Sequence, residues 1–351
     1  MITAPIRVGI IGSNYGLAHI APMRAAGAAV VALCGRDAAK TARLAAHHQI
    51  PLATTDLDQL CAAVDAVVVA GPDGLHHDHV LQVLGHGRHL LCEKPLTRTA
   101  SEAARLVAAA RGSDRVCAVA FAYRHIAVLR NLASWLDQRR PPRWLSVSVA
   151  NSFAAAEGLS DSGPLMGLSG DFGGISHLLD AALWWMNAEP LWVQASMSGR
   201  PAHSVALHIG LDNGATIVVN QFAGHEPGIH GHWLLAGDDY EVRLEAEYRP
   251  ELASWRLSPV RAYQGDQWQQ LSPLVVAGPD QPEPWYQGNL GTAHAFLAAI
   301  RGEAVARDAL VSFSDAARVQ QILGAAMVSV EQRRQVFLSE LISPPLSRSD
   351  S

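Results

Sequence analysis

Between Ile6 and Phe121, short runs rich in β-branched residues alternate with Ala/Leu-rich segments of helical length, and this alternation constrains the fold more than any other feature. Strands buried on both faces read as continuous apolar runs, and parallel neighbours need a crossover long enough for a helix. The expected strands are 6–12, 29–34, 65–70, 88–92 and 115–121, and the expected helices 16–26, 37–48, 74–85 and 99–111. Thr99 and Ser101 stand as caps of the last helix, with Glu102 in its first turn.

After Arg124 the pattern changes. A helical segment runs to Gln138, Arg139-Arg140-Pro141-Pro142 breaks it, and Trp144–Asn151 reads as a strand. Residues 190–247 alternate apolar and polar between turn signals such as Asp212-Asn213-Gly214 and Gly237-Asp238-Asp239, the pattern of an antiparallel sheet. Helices are expected at 287–301 and 313–333, and residues 344–351 read as a disordered tail.

With 351 residues, 49% of them hydrophobic and 17% charged, the chain has enough apolar material for about two domains. A formal charge of -5 gives no whole-surface attraction for nucleic acid or anionic lipid, so neither is an expected partner. No apolar run is long enough to span a membrane. Cys34, Cys61, Cys92 and Cys117 form no CxxC pair and the first thirty residues lack a signal-peptide layout, which makes the cytoplasm the simplest compartment.

Val8-Gly9-Ile10-Ile11-Gly12-Ser13-Asn14-Tyr15-Gly16 leads from an apolar strand into a helix, an incomplete GxGxxG that sets Gly12, Ser13, Asn14, Tyr15 and Gly16 where a pyrophosphate would lie. Asn14 occupies the middle glycine position; Asn tolerates positive φ better than most residues, so the turn remains feasible. The end of the second strand, Leu33-Cys34-Gly35-Arg36, lacks the acid that receives ribose hydroxyls in NAD sites. The Arg36 guanidinium instead suits a 2′-phosphate, favouring NADP(H) with NAD(H) still open. Two readings compete with this: Arg36 as a solvated residue opening the next helix, and Asp37 turned toward a ribose. The expected fold class is α/β: a Rossmann dinucleotide-binding domain over 1–123, then an α+β domain over 124–343 on a mostly antiparallel open sheet, and the tail 344–351.

Pro72-Asp73-Gly74-Leu75-His76 is followed 17 positions after His76 by Glu93, in the block Cys92-Glu93-Lys94-Pro95-Leu96. On these residues the chain resembles the glucose–fructose oxidoreductase/inositol dehydrogenase/rhizopine catabolism (Gfo/Idh/MocA) family of nicotinamide-dependent enzymes. The resemblance covers Val8 to Arg124 well and the rest more loosely, through His177-Leu178-Leu179-Asp180, Leu183-Trp184-Trp185 and Phe313-Ser314-Asp315. It implies a substrate-contacting role for Lys94, with Pro72, His76, Glu93 and Pro95 around the cofactor and Arg124 at either cofactor or domain junction. It also implies that the second domain binds substrate and offers an oligomer face, so that the protein is a homo-oligomer. Physically, the end of a parallel strand presents groups to ligand, and an amine there can polarise a carbonyl or stabilise an alkoxide. A neighbouring oxidised nicotinamide would lower the lysine pKa. His76 and His79 share a helical face, but four convergent ligands are missing nearby, and no metal is expected.

Relatives carry Asp-x-Gly-x-His-x-x-Asp where this chain reads Gly173-Gly174-Ile175-Ser176-His177-Leu178-Leu179-Asp180. His177 is the expected general acid/base, because imidazole titrates near neutrality. Gly173 replaces the usual acid, and Asp171 stands two residues upstream as its substitute through a shifted loop. Asn151, Phe153 and Glu157 are further candidates around a polar ligand. The expected function is hydride transfer between a nicotinamide and a sugar, cyclitol or related polar carbonyl or alcohol, with Lys94 and His177 assisting proton transfer. Two alternatives stand: an NADPH-dependent reductase of an imine or unsaturated intermediate, suggested by the missing acid, and a non-catalytic NADP-binding regulator.

Overall fold

The run Ala29–Cys34 forms β2 over the residues expected, in a computed structural model that describes residues 4–151, 175–198, 204–223, 228–249, 254–273, 275–276, 284–305 and 309–342. Beside β2 lie β1 (Arg7–Ile11), β3 (Leu52–Thr54), β4 (Ala66–Val69), β5 (His89–Cys92) and β6 (Cys117–Val119), paired in parallel in the order β6-β5-β4-β1-β2-β3. The crossovers are α1 (Ile20–Ala25), α2 (Ala38–His47), α3 (Leu57–Ala63), α4 (His76–Gly85) and α5 (Ala100–Arg111). This is the doubly wound order of a dinucleotide-binding sheet.

Two expectations change here. The helix expected over 16–26 is a 3-10 turn, Tyr15–His19, followed by α1. Pro22 explains the division: within the first turn of α1 its missing N–H costs nothing, whereas a helix begun at Gly16 would hold it in the interior. The element expected from 74 likewise begins as a 3-10 turn, Asp73–Leu75. β3 and α3 are additions; the Asp56 carboxylate caps α3 by accepting from the Asp58 and Gln59 N–H groups at 2.9 and 3.5 Å.

A second sheet contains β7 (Trp144–Asn151), β8 (Pro190–Ser198), β9 (Ser204–Leu211), β10 (Thr216–Ala223), β11 (Ile229–Ala236) and β12 (Tyr240–Arg249). It is antiparallel apart from the β7–β10 pair, whose strands run parallel. Beyond the expected strands it takes in β13 (Ser254–Leu257), β14 (Arg261–Gln264), β15 (Gln267–Gln270) and β16 (Val275–Val276), with β18 (Val336–Phe337) on the β8 edge. Leu145, Val147, Ile217, Val219, Leu207, Ile209 and Leu235 alternate onto one buried face. Against β7 and β10 on that face packs α7 (Ile175–Met186), in which every residue but Trp184 is buried, and α6 (Ala127–Leu136) packs on α7.

After the second sheet come α8 (Pro284–Ile300), β17 (Val311–Ser312), α9 (Phe313–Gln332) and α10 (Ser339–Ile342). The chain divides into two compact units, one from the described residues of Met1–Arg98, Glu102–Ile126 and Pro284–Ala317, the other from those of Thr99–Ser101, Ala127–Glu283 and Arg318–Ser351. Within the first unit Ala293, Phe296 and Leu297 of α8 join Val8, Ile10, Ile20 and Met23 in the core, and β17 pairs antiparallel with β6. The expected disordered tail lies outside the described residues.

Candidate active site

The carboxyl ends of β1, β2 and β4 open into a cavity of about 740 Å³ lined by Ile11, Gly12, Ser13, Asn14, Tyr15, Cys34, Gly35, Arg36, Asp37, Lys40, Thr55, Leu57, Ala70, Gly71, Pro72, Leu75 and His79. That volume is in the range of cofactor sites, and the position outside the strand ends is where open α/β sheets take ligands. Gly12 is obligatory there. Its φ is +119°, and a Cβ would stand 2.2 Å from the Ala70 carbonyl oxygen, so only glycine lets the first loop lie against the end of β4. Gly16 is buried beneath the loop, where a Cβ would meet Ile10 Cγ2 at 3.0 Å. Of the cofactor residues expected from the sequence, Gly12, Ser13, Asn14, Tyr15, Arg36 and Pro72 line this cavity; Gly16, His76, Glu93, Lys94 and Arg124 do not.

At the β2 end the charges are sorted. The Asp37 carboxylate accepts the Lys40 N–H at 2.9 Å as the N-cap of α2, and this bond is the largest influence holding its acid below the ordinary range. Asp37 thereby caps α2 while still lining the cavity. The exposed Arg36 guanidinium borders the cavity, and Lys40, overlooked in the sequence, donates from Nζ to Asn14 Oδ1 at 2.5 Å across the loop. Two cations therefore mark this end. Cys34, also in the lining, is held in its thiol form, its pKa pushed up to about 11, mainly by burial.

Lys94 stands two residues past the end of β5, and its bond to Pro95 is cis. The residue is half-buried, and burial pushes the amine below its ordinary pKa against the opposing pull of Glu93 and Asp73. Glu93 is buried beside it. Burial opposes its ionisation, but the hydrogen bond and charge of His19, then the charge and backbone N–H of Lys94, outweigh that and hold the acid below its ordinary range. His19 Nε2 donates to Glu93 Oε1 at 2.7 Å, with 2% and 6% of the two side chains exposed. Nothing local in the sequence links these residues, 74 positions apart.

His76 is buried and its ring spans two strand ends. Nδ1 lies 2.8 Å from the Pro95 carbonyl oxygen and Nε2 3.0 Å from that of Gly71, so the ring ties the loop after β4 to the loop after β5. His79 instead reaches the cavity lining, and burial followed by the charge of His76 lowers its pKa. Arg124 is buried in a 3-10 turn after β6, Ala122–His125. In the second unit His177 is buried in the first turn of α7, one turn before the buried Asp180. Asp171, Phe153, Glu157 and the Asn151 side chain lie outside the described residues.

The profile of the family described as "Oxidoreductase family, NAD-binding Rossmann fold", Gfo/Idh/MocA, matches residues 6–121. Over 272 residues the chain is 30% identical to inositol 2-dehydrogenase 2 of Saccharopolyspora erythraea, covering 72% of this chain and 74% of that protein. The chain belongs to the Gfo/Idh/MocA family. As a member it is an NAD(P)-dependent oxidoreductase, which displaces the non-catalytic reading. Another member, the scyllo-inositol 2-dehydrogenase (NADP(+)) IolU of Bacillus subtilis (strain 168), is 23% identical over 70% of this chain and 78% of its own. The family fold extends through the second sheet: levoglucosan dehydrogenase, solved in complex with NADH and levoglucosan, superposes with a TM-score of 0.78 at 20% identity, covering 95% of this chain and 99% of that one.

Proposed function

We propose that this family member is an NADP(H)-preferring dehydrogenase or reductase of a sugar, cyclitol or related polar alcohol or carbonyl compound. The observation that carries the cofactor preference is the pairing of Arg36 and Lys40 at the β2 end of the cavity, where Asp37 spends one carboxylate oxygen on the helix cap. The residues present fit a nicotinamide dinucleotide: Gly12 allows the loop-to-strand approach, the cavity has a suitable volume, and the two cations suit a 2′-phosphate. Its nicotinamide would accept or supply the hydride.

The chain's own residues handle binding and protons. Lys94 holds the substrate oxygen, its ammonium stabilising charge that develops there, and its lowered pKa lets it pass a proton closer to neutrality than an ordinary lysine. Glu93, fixed by His19, keeps a compensating negative charge beside that amine. His177 serves as a second acid/base. The names of the inositol dehydrogenases among the relatives support the polyol class.

Purified protein offered NADP(H) or NAD(H) with a polyol and sugar-ketone panel, followed through nicotinamide absorbance, tests this. A charge-assisted hydrogen bond to the phosphate is worth about 1.5–3 kcal/mol, so kcat/KM should favour NADP(H) by roughly 10- to 100-fold, and Arg36→Asp should erase that margin. Equal use of NAD(H) by the wild type would sink the cofactor preference. Silence across the panel by protein that retains cofactor would sink the substrate class.

A further inference from the structure

Away from Arg36 and Lys40 the cofactor cavity is walled by Thr55 and Leu57, before and at the start of α3, and by Leu75 and His79, before and in the first turn of α4. Leu75 is apolar yet 45% exposed, and Leu57 is half-buried, so both present apolar surface to the cavity. Apolar walls with one or two placed polar groups are the usual make-up of a cofactor site, and His79 is the polar group here.

Helical spacing and two hydrogen bonds set His79 on this wall. His79, Gln82 and His86 fall at i, i+3 and i+7, one face of α4 continued into its C-cap. Gln82 Nε2 donates to Asp58 Oδ1 at 2.6 Å and His86 Nε2 lies 2.9 Å from the same oxygen, which turns that face toward the start of α3. His79 is the member of the face nearest the strand ends, and Leu57, the neighbour of Asp58, lines the same cavity.

The imidazole has one closed edge. A Cβ built on Gly71 would stand 3.3 Å from His79 Cε1 and 3.4 Å from Nδ1. Nδ1 is closed to solvent without a hydrogen-bond partner among the described residues, which leaves Nε2 as the nitrogen the ring offers to the cavity. A proton on Nδ1 would be a buried donor lacking an acceptor, the rarer arrangement, so the proton belongs on Nε2. Burial, then the charge of His76, lowers the pKa against the weaker pull of Asp78, and the ring is neutral at neutral pH.

We propose that His79 reads the adenine of the cofactor: its Nε2–H donates to a ring nitrogen of the base, which lies against the apolar surface of Leu57 and Leu75. The ribose that carries the adenine sits at the end of the second strand in doubly wound domains, so the base attached to it has this wall to rest on. The inference rests on the dinucleotide cavity described above and deepens it by assigning the half of the cofactor that takes no part in hydride transfer. It applies to NAD(H) and NADP(H) alike, because both carry the base.

Fluorescence titration of wild type, His79→Leu and His79→Gln with NADPH, NADH and reduced nicotinamide mononucleotide, which lacks the adenosine half, tests the assignment. His79→Leu, apolar and of similar size, should weaken NADPH and NADH by the same factor, about tenfold, as loss of one neutral hydrogen-bond donor does, and leave the mononucleotide unaffected. His79→Gln, whose amide also donates, should keep most of the affinity. NADPH and NADH affinities within about twofold of wild type in His79→Leu overturn the proposal, and so does an equal loss for the mononucleotide, which would put the effect at the other half of the cofactor. The wild type alone judges the NADP(H) preference: equal affinities for NADPH and NADH refute it, while the ratio of variant to wild type still decides the role of His79. Should His79→Leu fail to fold, NMR of wild type isotope-labelled at histidine takes its place: the His79 Nε2 signal, identified by its absence from His79→Gln, should shift when NADPH binds, and an unmoved signal overturns the contact.

Discussion

Replacing His19 by alanine should reverse the way this protein's stability depends on pH. In the wild type Glu93 has a folded pKa below its unfolded value, so the stability it contributes is present above the unfolded carboxylate range and lost as pH falls through the folded value. His19 supplies the largest of the influences that lower it. With that partner gone, burial dominates and the folded pKa rises above the unfolded one, so stability in His19→Ala should decline as pH rises from about 4.5. Breaking a buried pair by removing one partner costs roughly 3–5 kcal/mol, expected in full once Glu93 is ionised, near pH 8. Below that, Glu93 escapes by taking a proton, and the deficit should shrink by about 1.4 kcal/mol for each pH unit inside the window. Urea unfolding at about pH 5.5 and pH 8, with m-values checked for constancy, measures both slopes. The double variant His19→Ala/Glu93→Gln removes the orphaned charge and should recover most of the loss at pH 8. A deficit below about 1 kcal/mol with no change between the two pH values would refute the reasoning, because it would mean that His19 does not hold Glu93 ionised.

Two further outcomes follow from the geometry. Lys94→Met should cut kcat by about 10²- to 10³-fold, as loss of a charge-stabilising donor does, without lowering the melting temperature. The wild-type amine has a folded pKa below its unfolded one, so stability rises with pH between the lowered value and 10.5; the variant should lack that rise in its urea-unfolding profile. Gly12→Ala should abolish measurable NADP(H) binding by fluorescence titration, since its Cβ would stand 2.2 Å from the Ala70 carbonyl oxygen at a φ of +119°; retained affinity would show that the loop does not need this approach.

The sequence made the first sheet legible where a strand is a continuous apolar run between breakers, as in Ala29–Cys34 between Gly27 and Gly35. β3 escaped because three residues on an edge have no periodicity to read, and α3 because its best signal is the single cap Asp56. The division of the first helix was readable in principle: Pro22 cannot sit seven residues into a helix begun at Gly16. Nothing in the periodicity of Pro284–Ile300 announces that Phe296 and Leu297 pack in the core with Val8 and Ile10, because a helix's apolar stripe does not name its partner. The cofactor loop and the Glu93-Lys94 pair stood out as motifs. Lys40 did not, because its importance comes from the turn of helix that sets it opposite Asn14.

What the motifs left unread is why their residues hold still. Three links join the ends of parallel strands in the first sheet: Gly12 lies against Ala70 between β1 and β4, His76 bridges Gly71 and Pro95 between β4 and β5, and His19 reaches from the turn after β1, past β4, to Glu93 after β5. Each joins residues distant in sequence, and each removes freedom from a loop that must meet a ligand with little tolerance in position. Glu93 keeps a negative charge against the Lys94 amine, and His76 sets the spacing of the two loops. Lys94 then has a fixed backbone, a compensated charge and a partly desolvated amine, the combination an oxygen-binding ammonium needs if it is to act on charge that appears only during reaction.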